Sequence, residues 1–250
     1  MSAASYPFNQ PIAWTPDPDQ CASSRMMTFA RAHGIDTYPD LLDWANADVN
    51  RFWDAVLVDL GIQFTSPYRL AYEPTGDPAF PNWCVDGRMN ITHSLLDKWL
   101  VDEAAERDAI RYQSEEGGEE RITYRELAAR VGQCAAAMRA RGLGPGDAVG
   151  ILMPMTPEIV VAFLATIRIG GVVLPLFSGY GEEAIATRLQ GGEAKALFVS
   201  NASPRRGRAV DLKGTADRAL AQCPTVEHVI VHNRISDHDT PMQAGRDVGG

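Results

Sequence analysis

Cysteine and histidine are scarce in this sequence, with four and five residues in a chain of 250. They are Cys21, Cys84, Cys134 and Cys223, and His33, His93, His228, His232 and His238. The cysteine separations fit no zinc, redox or disulfide pattern, which indicates free thiols in a reducing compartment and predicts a cytoplasmic location. The histidines show no HExxH or other paired-ligand spacing, and no nucleophile constellation is visible. We therefore expect neither a metal site nor a disulfide.

Positive charge is also in deficit, since the formal net charge is −9. This balance argues against nucleic acid or an anionic membrane as the main partner, and small molecules are the expected ligands. Residues 1–10 lack a basic end followed by an apolar segment, so no secretory signal is predicted. Residues 159–177 are mostly apolar, but Arg168 and Gly170-Gly171 interrupt them. They predict a buried helix followed by a strand, not a membrane span. The sequence gives no indication of oligomeric state.

The region from Thr123 to His232 alternates helix and strand patterns. Thr123 and Glu126 have the spacing of a capping box, which predicts a helix that continues to about Gly142. Apolar runs of strand length occupy residues 148–153, 172–177, 196–199 and 226–231, and helical patterns occupy residues 159–169, 182–189 and 212–222. Continuous apolar strands that alternate with helices predict an α/β fold, with a parallel sheet covered by helices on both faces.

The first 100 residues have a different composition, because they contain all five tryptophans. We predict a helical, Trp-rich N-terminal lead-in over residues 1–100 and a partial α/β domain over residues 101–250. Within the lead-in, one helix ends at Gly34 and another is capped by Asn46. Residues 68–90 read as an extended crossing and residues 93–106 as helical. Residues 109–122 read as a hairpin with a turn at residues 116–119.

Gly179-Tyr180-Gly181 is the first candidate site, because it follows a predicted strand and opens a predicted helix with G-x-G-x-x-A spacing. This is the arrangement that places a diphosphate at a helix N-terminus. Glu182 and Glu183 would repel a diphosphate, and the following strand ends in Ser200 instead of an acid that could bind a ribose. A tight turn with acids that satisfy the helix dipole explains the same residues.

Pro204-Arg205-Arg206-Gly207-Arg208 is the second candidate site and lies in the predicted loop after the third strand. Its guanidinium groups can form paired hydrogen bonds to a phosphate, and the end of a parallel strand is where such sheets bind ligands. A solvated basic loop in an acidic protein is the alternative.

Taken in order, these segments and several others resemble the AMP-forming acyl-CoA synthetases, with acetyl-CoA synthetase as the nearest type. The matching segments are Trp14-Thr15-Pro16, Phe52-Trp53, Gly87-Arg88-Met89-Asn90, residues 122–127, Gly146-Asp147, residues 153–158, Arg168-Ile169-Gly170, Phe177-Ser178-Gly179-Tyr180, residues 205–208 and residues 226–229. The resemblance implies a ligase that joins a short carboxylate to ATP, with magnesium, as an acyl-adenylate and passes the acyl group to CoA.

The resemblance also implies where CoA binds. Arg205 and Arg208 match two family arginines that meet the adenosine phosphate end of CoA, with Gly207 between them and Arg206 in place of a glycine. Ser178 and Gly179 match the neighbouring turn. The resemblance assigns no catalytic residue and no metal ligand to this chain.

The sequence departs from the family in two respects. Cys84 and Asp86 replace an aromatic residue and a glycine, so the lead-in is expected to pack differently. The family's phosphate loop ending in lysine, its adenine-binding motifs and its C-terminal domain are missing, so we expect an N-terminal fragment that is inactive alone and has no certain ligand of its own. Two alternatives remain open. One is an NADP-type binding module that uses Gly179, Gly181, Arg205 and Arg206, and the other is a remnant without a ligand.

Overall fold

The computed structural model describes residues 13–115 and 117–250. The predictions for residues 1–10, and for Glu116 in the hairpin turn, lie outside the described residues. The chain divides between Arg88 and Met89 into two compact units.

The first unit contains four helices and a hairpin among its described residues. They are α1 (Pro18–Ser23), α2 (Arg25–Ala32), α3 (Tyr38–Ala47), α4 (Val49–Asp59), β1 (Leu70–Glu73) and β2 (Asn82–Val85). The prediction that Asn46 caps a helix is wrong, because Asn46 lies inside α3. Asp48 caps α4 instead, and its carboxylate accepts a hydrogen bond from the Arg51 amide at 2.9 Å. The helix cap therefore lies two residues after the predicted position, and Asp48 separates α3 from α4.

Aromatic packing holds this unit together. The Trp44 ring meets Phe29 and Phe52 edge to face at 6.3 and 6.0 Å. The predicted extended crossing contains the antiparallel β1–β2 pair, in which Tyr72 lies opposite Trp83 with 5.1 Å between the rings. Such pairs contribute about 0.5–1.5 kcal/mol each beyond the effect of their buried area. We therefore interpret Trp44 and Trp83 as packing residues.

The second unit begins with α5 (Ile91–Leu95) and two 3₁₀ turns, Asp97–Trp99 and Asp102–Glu106. The prediction of one helix over residues 93–106 is therefore only partly right. Val101 is extended and Asp102 has a φ of +44°, and neither conformation continues a helix. The predicted hairpin is confirmed by β3 (Asp108–Gln113) and β4 (Glu119–Thr123).

The remainder contains the predicted alternation of helices and strands, together with three short strands that were not predicted. Its elements are α6 (Tyr124–Ala140), β5 (Ala148–Leu152), α7 (Pro157–Arg168), β6 (Val172–Pro175), α8 (Glu182–Gly191), β7 (Ala196–Ser200), β8 (Ala202–Arg205), β9 (Arg208–Asp211), α9 (Leu212–Leu220), β10 (His228–His232) and β11 (Asp247–Gly249). Thr123 and Glu126 form the predicted capping box of α6. Residues 159–177 divide into α7 and β6 as expected. No helix of the described part of the chain is long and apolar enough to cross a membrane.

Five strands form one parallel sheet in the order β11–β10–β7–β5–β6. Helices cover both of its faces. Phe198 packs with Val131 of α6 on one face, and Leu197 packs with Ile185 of α8 on the other. This confirms the predicted fold class, because alternate residues of a strand are buried against different helical layers.

A buried ion cluster joins α9 to the start of β11. Lys213 is 1% exposed, and its Nζ lies 2.6 Å from Asp217 and 2.8 Å from Asp247. Arg246 pairs with the same two carboxylates at 2.5 and 2.6 Å. We call Lys213, Asp217, Arg246 and Asp247 the Lys213 cluster. It holds the edge strand β11, whose three residues carry little apolar surface.

The Lys213 cluster predicts an acid-sensitive contribution to stability. Burial acts to raise the pKa of Asp247, but hydrogen bonds from Arg246, the Gln243 amide and Lys213 outweigh it and lower that pKa from 3.8 to about 2. The contribution, about 2 kcal/mol, is complete above pH 4 and is lost as the pH falls from about 4 to 2. Urea unfolding between pH 7 and pH 2 measures it. The Asp247→Asn variant should show a flatter profile below pH 4, and parallel profiles would contradict the assignment.

Candidate functional site

The carboxyl ends of β5, β6 and β7 open onto a cleft. β6, which follows β5 in the sequence, pairs with one side of β5, and β7 pairs with the other side. Ligands of open parallel sheets bind where the strand order reverses in this way. The residues just after these strands, 154–156, 177–178 and 203–205, line a cavity of about 410 Å³ that we call the Ser178 cleft.

A second cavity of about 750 Å³ adjoins the first, and we call it the Arg208 cleft. Pro204, Gly207 and Arg208 lie on one side of it, and residues 234–236 lie on another. The two clefts share five lining residues, which are Tyr112, Ser114, Glu115, Pro204 and Arg234. They are therefore two lobes of one site between the β3–β4 hairpin and the residues after β7 and β10.

The predicted arginine loop is a β-hairpin. β8 and β9 pair antiparallel, with Arg205 opposite Arg208 and only Arg206 and Gly207 between them. Both turn residues have positive φ, +52° and +73°, as a type I′ turn requires. The hairpin fixes the spacing of Arg205 and Arg208 at the ends of two paired strands, which a free loop would not do.

The three arginines of this turn are exposed. Among the described residues, no carboxylate forms an ion pair with Arg205, Arg206 or Arg208, although most other arginines of the second unit have a carboxylate or carbonyl partner. Three adjacent guanidinium groups repel one another unless an anion lies between them. The hairpin is therefore suited to a phosphate, which guanidinium groups bind through paired hydrogen bonds.

The structure brings some of the predicted site residues together and not others. Ser178 and Arg205 line the Ser178 cleft, and Gly207 and Arg208 line the Arg208 cleft. Gly179 lines neither cleft, but a Cβ there would lie 2.5 Å from the Phe177 ring. Gly179 therefore allows the ring to fold against the turn.

Arg206 differs from Arg205 and Arg208, since it lines neither cleft and has a backbone conformation that L residues rarely adopt. A side chain in the left-handed region costs about 1–2 kcal/mol. We predict that the free energy of opening of the hairpin is about 1 kcal/mol higher in Arg206→Gly than in Arg206→Ala. Both variants lose the charge, and only alanine keeps the Cβ. Hydrogen exchange of the β8–β9 amides measures the difference. Equal protection in the two variants would contradict the strain.

Sequence reasoning did not assign most of the lining residues to a site, and Tyr112, Met155, Phe177 and Arg234 are among those that it missed. Met155 and Phe177 are 80% and 59% exposed, although both are apolar and lie just after β5 and β6, two strands of the parallel sheet. That position was a usable signal, because residues just after parallel strands line the ligand crevice. Tyr112 gave no such signal, since it comes from a hairpin outside the main sheet.

The glycine pattern at Gly179-Tyr180-Gly181 does precede a helix, as predicted. Gly181 caps α8 without a side-chain hydrogen bond, and Glu182 and Glu183 occupy the first turn. Glu182 pairs with Arg218 at 2.8 Å. Carboxylates therefore already interact with the partial positive charge of this helix N-terminus. This favours the interpretation of Gly179-Tyr180-Gly181 as a turn.

His228 and His232 lie on one face of β10, as expected for i and i+4 on a strand. His228 Nε2 lies 3.0 Å from the Arg141 carbonyl oxygen, and His232 Nε2 lies 3.7 Å from Glu158. Burial lowers the pKa of His232 against the opposing effect of Glu158. No group of three potential metal ligands occurs in residues 13–115 and 117–250.

Comparison with known proteins gives two family matches. The model described as AMP-binding enzyme matches residues 98–247, and the model described as acetyl-coenzyme A synthetase N-terminus matches residues 38–95.

The individual relatives are acyl-CoA synthetases with different acyl groups. Acetyl-coenzyme A synthetase of Laribacter hongkongensis is 36% identical over 222 residues, which are 88% of this chain and 33% of that protein. 3-Hydroxypropionyl-coenzyme A synthetase of Metallosphaera sedula is 34% identical over 84% of this chain and 32% of its own length. The structure of acetoacetyl-CoA synthetase from Streptomyces lividans superposes with a TM-score of 0.83 at 27% identity, over 96% of this chain and 37% of that one. The chain thus spans about a third of the length of the curated relatives it matches.

Proposed function

Because this chain belongs to the AMP-binding enzyme family, we propose that it forms part of an AMP-forming acyl-CoA synthetase. In this reaction a carboxylate oxygen attacks the α-phosphorus of ATP, pyrophosphate leaves, and the CoA sulfur then displaces AMP from the acyl-adenylate. The acyl group is short, because the relatives are named for acetyl, 3-hydroxypropionyl and acetoacetyl groups. The four cysteines are free, as suits a cytoplasmic enzyme.

We assign the cleft to the nucleotide end of CoA. The supporting observation is the hairpin, which holds Arg205 and Arg208 side by side without counterions at the carboxyl edge of the sheet. Ser178 adds a hydroxyl, and the exposed ring of Phe177 adds an apolar surface against which a purine can stack. A nucleotide with a phosphate on its ribose matches this combination of cations, hydroxyl and aromatic ring.

Calorimetric titration of the chain tests this assignment with three ligands. CoA should bind more tightly than dephospho-CoA, which lacks only the 3′-phosphate, and NADPH should bind no better than dephospho-CoA. Preference for NADPH would support the dinucleotide module, and absence of binding to all three would support the remnant. Either result would reject the CoA assignment.

The chain alone is proposed not to form acyl-adenylates. Its 250 residues contain no Ser/Thr/Gly-rich loop ending in lysine, so the triphosphate has neither an amide cradle nor a lysine to bind it. Carboxylate-dependent exchange of labelled pyrophosphate into ATP should stay at the level of a blank without protein, while a complete acetyl-CoA synthetase serves as the positive control. Exchange that rises in proportion to the concentration of this chain would refute the proposal.

A further inference from the structure

Asn201, the residue after β7, ties two parts of the cleft together. It is fully buried, and its Oδ1 accepts hydrogen bonds from the amides of Ala202 at 2.7 Å and Arg234 at 2.9 Å. Its Nδ2 donates to Asn233 Oδ1 at 2.6 Å and to the Ile235 carbonyl at 2.8 Å. One amide side chain therefore fixes the base of the arginine hairpin to the loop that follows β10.

This loop places Arg234 on the wall that the two clefts share. Arg234 is half-buried, and its Nη1 donates to the hydroxyl of Tyr112 on β3 at 3.2 Å. The backbone of Arg234 is thus held by Asn201, and its guanidinium is oriented by Tyr112. Arg205 and Arg208, in contrast, are exposed on the hairpin.

The site therefore holds cations at two places. The hairpin pair is exposed, and Arg234 lies at the junction of the two lobes. A guanidinium group binds phosphate oxygens in pairs, and a half-buried one is screened less by salt than an exposed one. A ligand with two separate phosphate groups on one nucleoside would engage both places.

We propose that Arg234 is the residue that binds the diphosphate of CoA, while Arg205 and Arg208 bind the 3′-phosphate. The proposal rests on the assignment of this cleft to CoA. Tyr112 and Asn201 act as positioning residues, because the hydroxyl of Tyr112 accepts a hydrogen bond from the guanidinium of Arg234 and Asn201 accepts one from its backbone amide. This division predicts that the two sets of arginines respond differently to removal of the 3′-phosphate.

The test compares the affinities of CoA and dephospho-CoA by calorimetry in matched variants. Arg234→Met should weaken both ligands by the same factor, about ten- to a hundredfold, and so leave their ratio unchanged. Arg234→Lys keeps the charge without the fork and should weaken both ligands by a smaller common factor. Tyr112→Phe should weaken both by a few-fold, because it removes only the group that orients the guanidinium. Arg218→Met is the control, since Arg218 is exposed, pairs with Glu182 and lines neither cleft.

The outcomes separate this proposal from the one on which it rests. If the unaltered chain shows no preference for CoA over dephospho-CoA, the CoA assignment itself is wrong. If the preference is present but Arg234→Met and Arg234→Lys bind dephospho-CoA as the Arg218→Met control does, only the role of Arg234 is wrong. A fall in the ratio in either Arg234 variant would place Arg234 with the 3′-phosphate and also overturn the proposal. Circular dichroism checks that each variant is folded, and Arg234→Lys retains a positive charge should Arg234→Met unfold.

Discussion

Replacement of Lys213 by methionine is expected to lower the free energy of unfolding by about 3–5 kcal/mol, because it breaks a buried ion pair from one side. Lys213 is 1% exposed and the side chain of Asp247 is fully buried. Without Lys213, Arg246 is the one cationic partner left to Asp247 among residues 13–115 and 117–250. Urea unfolding at pH 7 measures the loss.

Lys195→Met is the matched control for this variant. Lys195 pairs with a single aspartate, Asp147, at 2.5 Å, whereas Lys213 pairs with two, and the side chain of Lys195 is 48% exposed. Exposed pairs contribute about 0–1 kcal/mol, so the same chemical change should have a small effect here. The contrast compares a buried lysine of an ion cluster with an exposed lysine of a single ion pair.

A double variant tests whether an uncompensated charge causes the loss at Lys213. Asp247→Asn removes that charge, so Lys213→Met/Asp247→Asn should lose less stability than the two single variants added together. Contacting residues of one network typically couple by about 0.5–3 kcal/mol. Additive losses, or a loss in Lys213→Met no larger than in Lys195→Met, would show that the Lys213 cluster does not stabilise the edge of the sheet.

Whether a strand can be predicted from the sequence depends on the interactions that stabilise it. β5 and β7 are predictable, because each is a continuous apolar run buried on both faces. β11 is three residues long and depends on the Lys213 cluster, which a local pattern does not reveal. The β8–β9 hairpin is polar and mostly exposed, and its turn has Arg206 where asparagine or glycine would signal type I′.

One part of the candidate site could likewise be predicted from the sequence, and another part could not. The position of Arg205 and Arg208 could be predicted, since residues after a parallel strand reach the ligand edge. Arg234 also follows a strand, β10, and the same rule would have included it. Its orientation could not be predicted, because it depends on Tyr112 and on the buried amide of Asn201, which come from distant parts of the sequence.

The double variant Arg205→Ala/Arg208→Ala should lose most of the preference for CoA over dephospho-CoA. A charge-assisted hydrogen bond contributes about 1.5–3 kcal/mol, and the exposure of this hairpin places each arginine at the low end. Each arginine then accounts for roughly a tenfold change in CoA affinity, and the pair for up to a hundredfold. Dephospho-CoA should bind the variant almost as it binds the unaltered chain, because the ligand lacks the phosphate that these residues bind.

The control removes the same charge from elsewhere in the second unit. Arg125 and Arg218 are 60% and 59% exposed, and each pairs with a glutamate outside the clefts. Arg125→Ala/Arg218→Ala should therefore keep the preference for CoA. It separates a local contact with the phosphate from the general attraction between a less acidic protein and an anionic ligand.

The salt dependence of CoA binding is an independent test of the role of Arg205 and Arg208. Raising the ionic strength from 0.05 to 0.5 M should weaken CoA binding more in the unaltered chain than in Arg205→Ala/Arg208→Ala, because screening acts on the charges that the variant lacks. The control variant should retain the steeper dependence. If Arg205→Ala/Arg208→Ala still distinguishes the two ligands and keeps the same salt slope, then the hairpin arginines are solvated and a different group binds the 3′-phosphate.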